Sequence, residues 1–398
     1  GWCLRGCRAL VRDTYRCITY SPFALVREQG QLREAMRSWN GENLLLFPYM
    51  GIGGAERVHA AIGAAIKKRA PLTVIFGNKK DHGFEQLFRA NGLLIEIPRL
   101  LHHPLTRRMA HRHLAEALNR AQHPVVLASL SAVFIDLMPL LRPEVRMLYL
   151  QHAFLHQPEA NAQWRTWLPW VPRIDSMLFV SRQALHEFDR FLFANNVSAK
   201  DRSRLRFMPN AVERFSPPRE HDSPGLLFVG RNSEEKRLPL FIEICERLHA
   251  LRPGAFRFAA AGPAARNTGC PMRFFGPIND AEQLGRVYEE HDLLVVTSSR
   301  EGFPMAIMEA MAHGLAILST PVGDVPNRVD ASHSLISAGT EPREVVETFT
   351  RAAIELADSK DRLMSMREAA YGKAVAEFNP QDFAQRYAGL FREMSGIA

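Results

Sequence analysis

Cysteine is scarce. There are five, Cys3, Cys7, Cys17, Cys245 and Cys270, an odd number with loose spacing and no C-x-x-C. That argues against a disulfide framework and a four-cysteine zinc site, and it fits a reducing compartment. Long apolar runs are also missing. The nearest, PVVLASLSAVFIDLMPLL at 124–141, carries Asp136 and is bounded by prolines. It reads as a buried strand followed by a helix, not as a membrane span. Arginines interrupt the first twenty residues, so no signal-peptide core is expected there. The G-x-G-x-x-G fingerprint of dinucleotide binding is absent, with no partner acid to support a nicotinamide reading. No D-x-D triplet occurs, and nothing resembles a DNA- or RNA-binding motif.

What the chain does have is a basic, globular composition. Its 398 residues are 46% hydrophobic and 23% charged, with a formal charge of +8. The length suggests two domains, and the charge favours anionic partners. Nucleic acid is not among those expected, because charge stands alone in its favour.

From Asn43 onward short apolar runs alternate with helical patterns. LLLFPY, LTVIFG, LLIEIP, PVVLAS, VRMLYLQH and SMLFVS read as buried strands, most of them trailed by a helix-like segment. Such alternation predicts a parallel sheet covered on both faces. A polar stretch with three prolines, ERFSPPREHDSPG at 213–225, interrupts it and reads as a linker. The alternation then restarts with GLLFVG, FRFAAAG, DLLVVTS and LAILST. The expected architecture is α/β: two doubly wound, Rossmann-like domains with a cleft between them. Ligands in such sheets bind beyond the carboxyl ends of the strands.

Three motifs fall at strand ends. SREGFPMAIMEAMAHG at 299–314 places Glu301 after a strand and Glu309 inside the following helix. Pro304 suits the first helical turn and Gly314 its stop. Free N–H groups at that helix start suit a diphosphate, and the two acids suit sugar hydroxyls. LLFVGRNSEEKRLPLF ends a strand at Gly230 and sets Arg231 and Lys236 in the following turn, two cations able to clamp a diphosphate. YMGIGGAERV places Gly51, Gly53 and Gly54 between a strand and a helix, where a backbone approaches a ligand closely. Each motif alone also has a plain reading, as a solvated helix face or a basic loop.

Together and in this order, these motifs resemble the retaining GT-B glycosyltransferases of the family four type, over roughly residues 43–393. PNAVERFSP at 209–217 is similar to that family's interdomain segment, with alanine and glutamate replacing the usual glycine and aspartate. VSRQALHEF also resembles a family segment. FNPQDFAQRYAGLFREM is similar to the last helix, which crosses back onto the N-terminal domain, with Asn379 and Pro380 as its cap and first turn.

The resemblance implies roles at matching positions. Arg231 and Lys236 would hold the donor diphosphate. Glu301 would bind donor-sugar hydroxyls, helped by the backbone N–H groups of Gly302 and Phe303. Glu309 would bind the ribose. Gly53, Gly54 and Gly230 would admit the donor, and the loop containing Gly276 would meet the nucleobase. His152 would lie by the reacting sugar, with His156 as a rival. The resemblance further implies retention of anomeric configuration without a carboxylate nucleophile or a metal cofactor. The partners it implies are a nucleotide-sugar donor and a glycan or lipid-linked acceptor in cell-surface polysaccharide or glycolipid synthesis. A nucleotide-sugar epimerase or hydrolase, or a non-catalytic scaffold on the same fold, are the alternatives.

The expected division is an N-terminal extension (1–40), an acceptor-side domain (41–212), a linker (213–224), a nucleotide-sugar domain (225–376) and the returning helix (377–398). In the first twenty residues Leu4, Cys7, Val11, Tyr15 and Ile18 recur at helical spacing beside Arg5, Arg8, Arg12 and Arg16. Such a basic amphipathic helix either lies on an anionic membrane or packs on the protein. The expected location is cytoplasmic, with the inner membrane face as the candidate surface. The basic segment 99–120 reads as an acceptor- or lipid-facing patch or as a solvated face. Trp164, Trp167 and Trp170 could form an interfacial belt or stack on sugars, with core packing as the default.

Overall fold

The computed structural model describes residues 21–78, 81–152 and 162–396. The basic amphipathic pattern in 1–20 and the rival His156 lie outside the described residues.

The first sheet has seven parallel strands: β1 (Asn43–Phe47), β2 (Leu72–Ile75), β3 (Leu93–Glu96), β4 (Val125–Ser129), β5 (Arg146–Gln151), β6 (Ser176–Phe179) and β7 (Leu205–Phe207). Their order is β3-β2-β1-β4-β5-β6-β7. β1 and β4 are buried at every position, as expected of strands covered on both faces. The second sheet has six: β8 (Gly225–Val229), β9 (Arg257–Ala261), β10 (Met272–Gly276), β11 (Leu293–Val296), β12 (Ala316–Ser319) and β13 (Ser334–Ile336). Their order is β10-β9-β8-β11-β12-β13, again all parallel.

Both sheets are therefore doubly wound, and each reverses direction once, between β1 and β4 and between β8 and β11. Loops leaving the carboxyl ends of such a pair diverge to opposite faces and open a crevice. The turn with Gly53 and Gly54 follows β1, and the loop with Glu301 follows β11. Both sequence motifs thus sit at switch points.

The chain crosses between the domains twice, and the crossings meet where Val212 N–H donates to Phe378 O at 3.0 Å. The helix Pro380–Ser395 then returns to the first domain. Tyr387 and Phe391 are buried there with Val58, Ile62 and Leu127. Asn379 caps this helix by accepting from Gln381 N–H at 2.8 Å, and Pro380 occupies its first turn. The opposite end of the chain differs from the expected extension. The helix Pro22–Ser38 packs into the first domain through Leu32 and Ala35, followed by Trp39. The buried Glu28 carboxylate accepts from Arg99 at 2.9 Å and from Leu100 N–H at 2.8 Å. Residues 22–39 are thus part of that domain's core, because their apolar face has a partner.

The basic segment also has a core face. The helix Arg107–Arg120 buries Ala110, His111, Leu114, Ala115 and Leu118 and leaves Arg108, Arg112 and Arg120 exposed. Trp164 and Trp167 pack around Tyr149, at 5.6 and 5.0 Å between ring centroids, as core aromatics. Among the described residues no helix is long and apolar enough to cross a membrane.

Candidate active site

The site on the second domain is built on carboxyl ends of strands. Gly230 follows β8 directly, and the chain makes a short turn, Glu234–Lys236, before the helix Leu238–Leu251. Arg237 between them adopts φ +49°, unusual for a side chain with a Cβ. Its guanidinium fastens the turn, donating to the carbonyls of Thr297, Ser298 and Thr340. Thr297 Oγ1 closes the clamp by donating to Lys236 O at 2.9 Å. The turn carrying Lys236 and the loop after β11 are thereby one rigid unit.

Within that unit Lys236 Nζ donates to Glu301 Oε1 at 2.5 Å, and Ser298 Oγ donates to the same oxygen at 2.8 Å. Both side chains of the ion pair are largely buried, at 20% and 14% exposed. Sequence reading placed Lys236 and Glu301 in one site, and the fold joins them. Arg231 stands apart. Its side chain is 70% exposed, and its nearest acid is Glu235 at 3.9 Å. It lies on the rim, not in the clamp.

Gly302 and Phe303 follow Glu301. Among the described residues, neither of their N–H groups has a backbone acceptor outside regular structure. The Phe303 ring is buried, 4.5 Å beneath the Arg328 guanidinium, so only its backbone is available to a ligand. Gly230, Gly262 and Gly276 converge nearby. Gly262 has φ +106°, and a Cβ there would lie 2.1 Å from Gly230 O. Its N–H donates to Gly276 O at 2.7 Å. No side chain fits at Gly262, which holds the ends of β8, β9 and β10 together.

Glu309 sits within the helix Met305–Ala312 and is 8% exposed. It shares no hydrogen-bond partner with Glu301. Arg57 of the first domain donates to its Oε1 at 2.9 Å, and Tyr288 OH donates to its Oε2 at 2.9 Å. Burial, then the Glu309 charge, holds the Tyr288 hydroxyl well above the ordinary tyrosine range. Glu309 also forms part of the wall of a cavity of about 250 Å³, with Arg57, Ala61, Ala211, Leu284 and Phe383. The cavity therefore lies between the domains.

The first domain faces this site with its glycine turn. A Cβ at Gly54 would lie 3.0 Å from Met305 Cγ, so the turn closes on the start of the Glu309 helix. A Cβ at Gly53 would lie 2.3 Å from Glu56 Oε2. Asp81 also serves the turn, accepting from Ile52 N–H at 2.8 Å. A second contact joins the domains. The fully buried Asp324 accepts from the N–H groups of Arg182 and Gln183, at 2.9 and 3.2 Å, at the start of the helix Arg182–Ala194. Asp324 N–H in turn donates to Gly302 O at 2.7 Å.

His152 follows β5. Its Nε2 lies 2.8 Å from Nε2 of His59, on the helix Gly54–Ala65, and the His59 ring stacks on Phe47 at 4.1 Å. Burial lowers His152 to about 4. Burial, then the neighbouring His152, drives His59 well below the ordinary histidine range. Both rings are neutral near pH 7. Sequence reading missed His59, Arg57, Tyr288, Asp324 and Arg237. Arg57 and His59 adjoin the glycine motif, the one signal that pointed to them.

Two doubly wound domains facing each other across such a cleft define the GT-B fold. The chain superposes on Anabaena Alr3699/HepE in complex with UDP with a TM-score of 0.69 at 15% identity, covering 88% of this chain and 100% of that one. Residues 223–359, within the second domain, match the family Glycosyl transferases group 1. The chain is 27% identical over 213 residues to a D-inositol 3-phosphate glycosyltransferase of Mycobacteroides abscessus, covering 44% of this chain and 46% of that protein. It is 25% identical over 284 residues to a GDP-mannose:cellobiosyl-diphosphopolyprenol alpha-mannosyltransferase of Xanthomonas oryzae, covering 66% of this chain and 72% of the relative. The chain spans about half the length, or less, of the first curated relatives it matches.

Proposed function

We propose that this protein transfers a sugar from a nucleotide-diphosphate donor to a glycan or lipid-linked acceptor, with retention of anomeric configuration. The observation that carries this reading is the Lys236–Glu301 pair, fixed at the switch point of a group 1 glycosyltransferase domain. Cleavage of a sugar–diphosphate bond builds negative charge on phosphate. Lys236 is placed to stabilise that charge, with the start of the Glu309 helix adding its unpaired N–H groups. Arg231, on the rim, is the second cation and reaches inward when a diphosphate is present. Glu301 accepts hydrogen bonds from donor-sugar hydroxyls, and the free N–H groups of Gly302 and Phe303 donate to the same ligand.

Glu309 accepts from the ribose hydroxyls, which exchange with Arg57 for its Oε1. The loop at Gly276 meets the base, and Gly53, Gly54 and Gly230 leave room for the phosphates. Departing phosphate takes the acceptor's proton, so no carboxylate nucleophile is required. The cations take the place of a metal clamp. The polysaccharide or glycolipid setting follows the relatives' names, one of which specifies a diphosphopolyprenol acceptor.

Calorimetric titration and turnover across a panel including UDP-glucose and GDP-mannose, with and without EDTA, test this. One donor binds saturably, indifferent to EDTA, and loses its binding in Lys236→Ala and Glu309→Ala. Failure of every donor to bind refutes the assignment. A free epimer or free sugar as the main product would instead favour an epimerase or hydrolase.

A further inference from the structure

The His59–His152 pair has only two neutral arrangements. In one, His59 Nε2–H donates to the His152 Nε2 lone pair, and His152 carries its proton on Nδ1. In the other, His152 Nε2–H donates to His59, which then carries its proton on Nδ1. The surroundings of His59 decide between them. Its Nδ1 is enclosed and has no partner. A buried N–H without an acceptor is rarer than an undersatisfied acceptor, because a stranded donor keeps none of its hydration. The first arrangement leaves a bare lone pair at that enclosed position, and the second strands an N–H there. The first is therefore the stable one. Stacking on Phe47 at 4.1 Å, with 7° between the planes, fixes the plane of the His59 ring.

His152 is the outward member of the pair. It is half-buried while His59 is 1% exposed. His59 occupies its Nε2, which leaves Nδ1 as the ring nitrogen for a further partner. It also lies at the carboxyl end of β5, on the edge of the sheet where the glycine turn faces the second domain.

We propose that His59 is a positioning residue: it fixes His152 as the tautomer protonated on Nδ1, so that His152 offers a neutral N–H to a hydroxyl oxygen of the bound donor sugar. The inference rests on the transferase reading for the identity of the ligand, but not for the tautomer. It assigns His152 hydrogen-bond donation rather than acid–base chemistry. Burial, which lowers both rings, keeps them uncharged and so keeps the donor–acceptor direction fixed near neutral pH.

The test uses the full chain labelled with ¹⁵N-histidine, with His152 signals identified by their loss in His152→Gln. Two-bond ¹H–¹⁵N spectra at pH 7.5 are expected to show His152 protonated on Nδ1. His59→Phe removes the donor and shifts His152 towards the Nε2–H form that free imidazole prefers. His59→Gln, whose side-chain amide can donate, retains the Nδ1–H form at least in part. In parallel, UDP-glucose and UDP are titrated, and the donor found in the panel is turned over. His59→Phe weakens sugar-dependent binding or turnover by roughly three- to tenfold, the worth of one hydrogen bond, while binding of the nucleoside diphosphate without its sugar is unchanged. His59→Gln recovers part of the loss.

A wild-type His152 protonated on Nε2, or a tautomer unmoved by His59→Phe, overturns the proposal. So does an equal loss for UDP and UDP-glucose, which would mark a general structural role. If no nucleotide sugar binds the wild type, the transferase reading fails, and the tautomer spectra still decide the role of His59.

Discussion

Asp324→Ala is expected to open the cleft. Asp324 belongs to the second domain, yet its carboxylate accepts from two N–H groups at the start of the Arg182–Ala194 helix. Those groups are orphan donors of a helix N-terminus, where a negative charge is also favoured by the helix dipole. A charge-assisted hydrogen bond contributes about 1.5 kcal/mol net once exchange with water is counted. The two bonds then hold the domains together by about 2–3 kcal/mol, and removing them raises the open-to-closed ratio by about 30- to 150-fold. The helix itself survives, because its own cap Ser181 accepts from Ala184 N–H at 3.2 Å.

The assay is small-angle scattering together with single-molecule energy transfer between dyes on the two domains. Asp324→Ala shifts both towards larger separations, and Asp324→Asn, which keeps an acceptor but loses the charge, falls between. The melting profile of each domain stays cooperative. An unchanged distance distribution in Asp324→Ala would refute the reasoning, since the contact would then contribute nothing to closure. Because opening draws Arg57 and the glycine turn away from the Glu309 helix, the same variant is expected to lower turnover even though it touches no substrate.

Other expectations follow from single contacts. Gly262→Ala forces a methyl group against Gly230 O and requires φ +106° of a residue with a Cβ. It is expected to cost several kcal/mol in urea denaturation and to abolish donor binding. Tyr288→Phe leaves Glu309 with one fewer donor and is expected to destabilise the second domain by about 1 kcal/mol and to weaken nucleotide affinity several-fold in titration. Burial lowers His111 from 6.5 to about 4, so the unfolded chain binds more protons than the folded one between those values. Stability must therefore fall as pH drops through that window, and His111→Leu is expected to remove up to about 3 kcal/mol of that dependence when urea midpoints at pH 7 and pH 4 are compared. Deleting residues 1–20 is expected to abolish sedimentation with anionic liposomes.

Interior strands were readable because they are continuous apolar runs. β1, β2, β4, β5, β6, β8, β9, β11 and β12 all coincide with runs in the sequence, and so does one edge strand, β3, whose LLIEIP run is apolar enough to show. The strands missed were β7, β10 and β13, and each lies at the edge of a sheet. An edge strand is covered on fewer sides, so LRF and MRFFG carry arginines and partial exposure instead of an apolar signature. The candidate site divides in the same way. Lys236 and Glu301 were legible because each follows a strand end within a short motif. Arg57, Asp324 and Tyr288 were not, since their roles depend on contacts across 252, 142 and 21 residues of chain respectively. Local spacing carries no trace of such pairings. His59 shows the same limit at shorter range: it adjoins a motif, but its partner lies 93 residues away.

The returning helix Pro380–Ser395 has a consequence for biosynthesis. A ribosome releases the first domain early, yet Phe383, Tyr387, Leu390 and Phe391 belong to one of that domain's core clusters. Until that helix emerges, the side of the sheet holding Val58, Ile62 and Leu127 is uncovered. The domain made first is closed only after the second has been made. Translation that stops short of residue 380 would yield a well-formed second domain beside a half-finished first one with an apolar flank, a species for chaperones and proteases to sort.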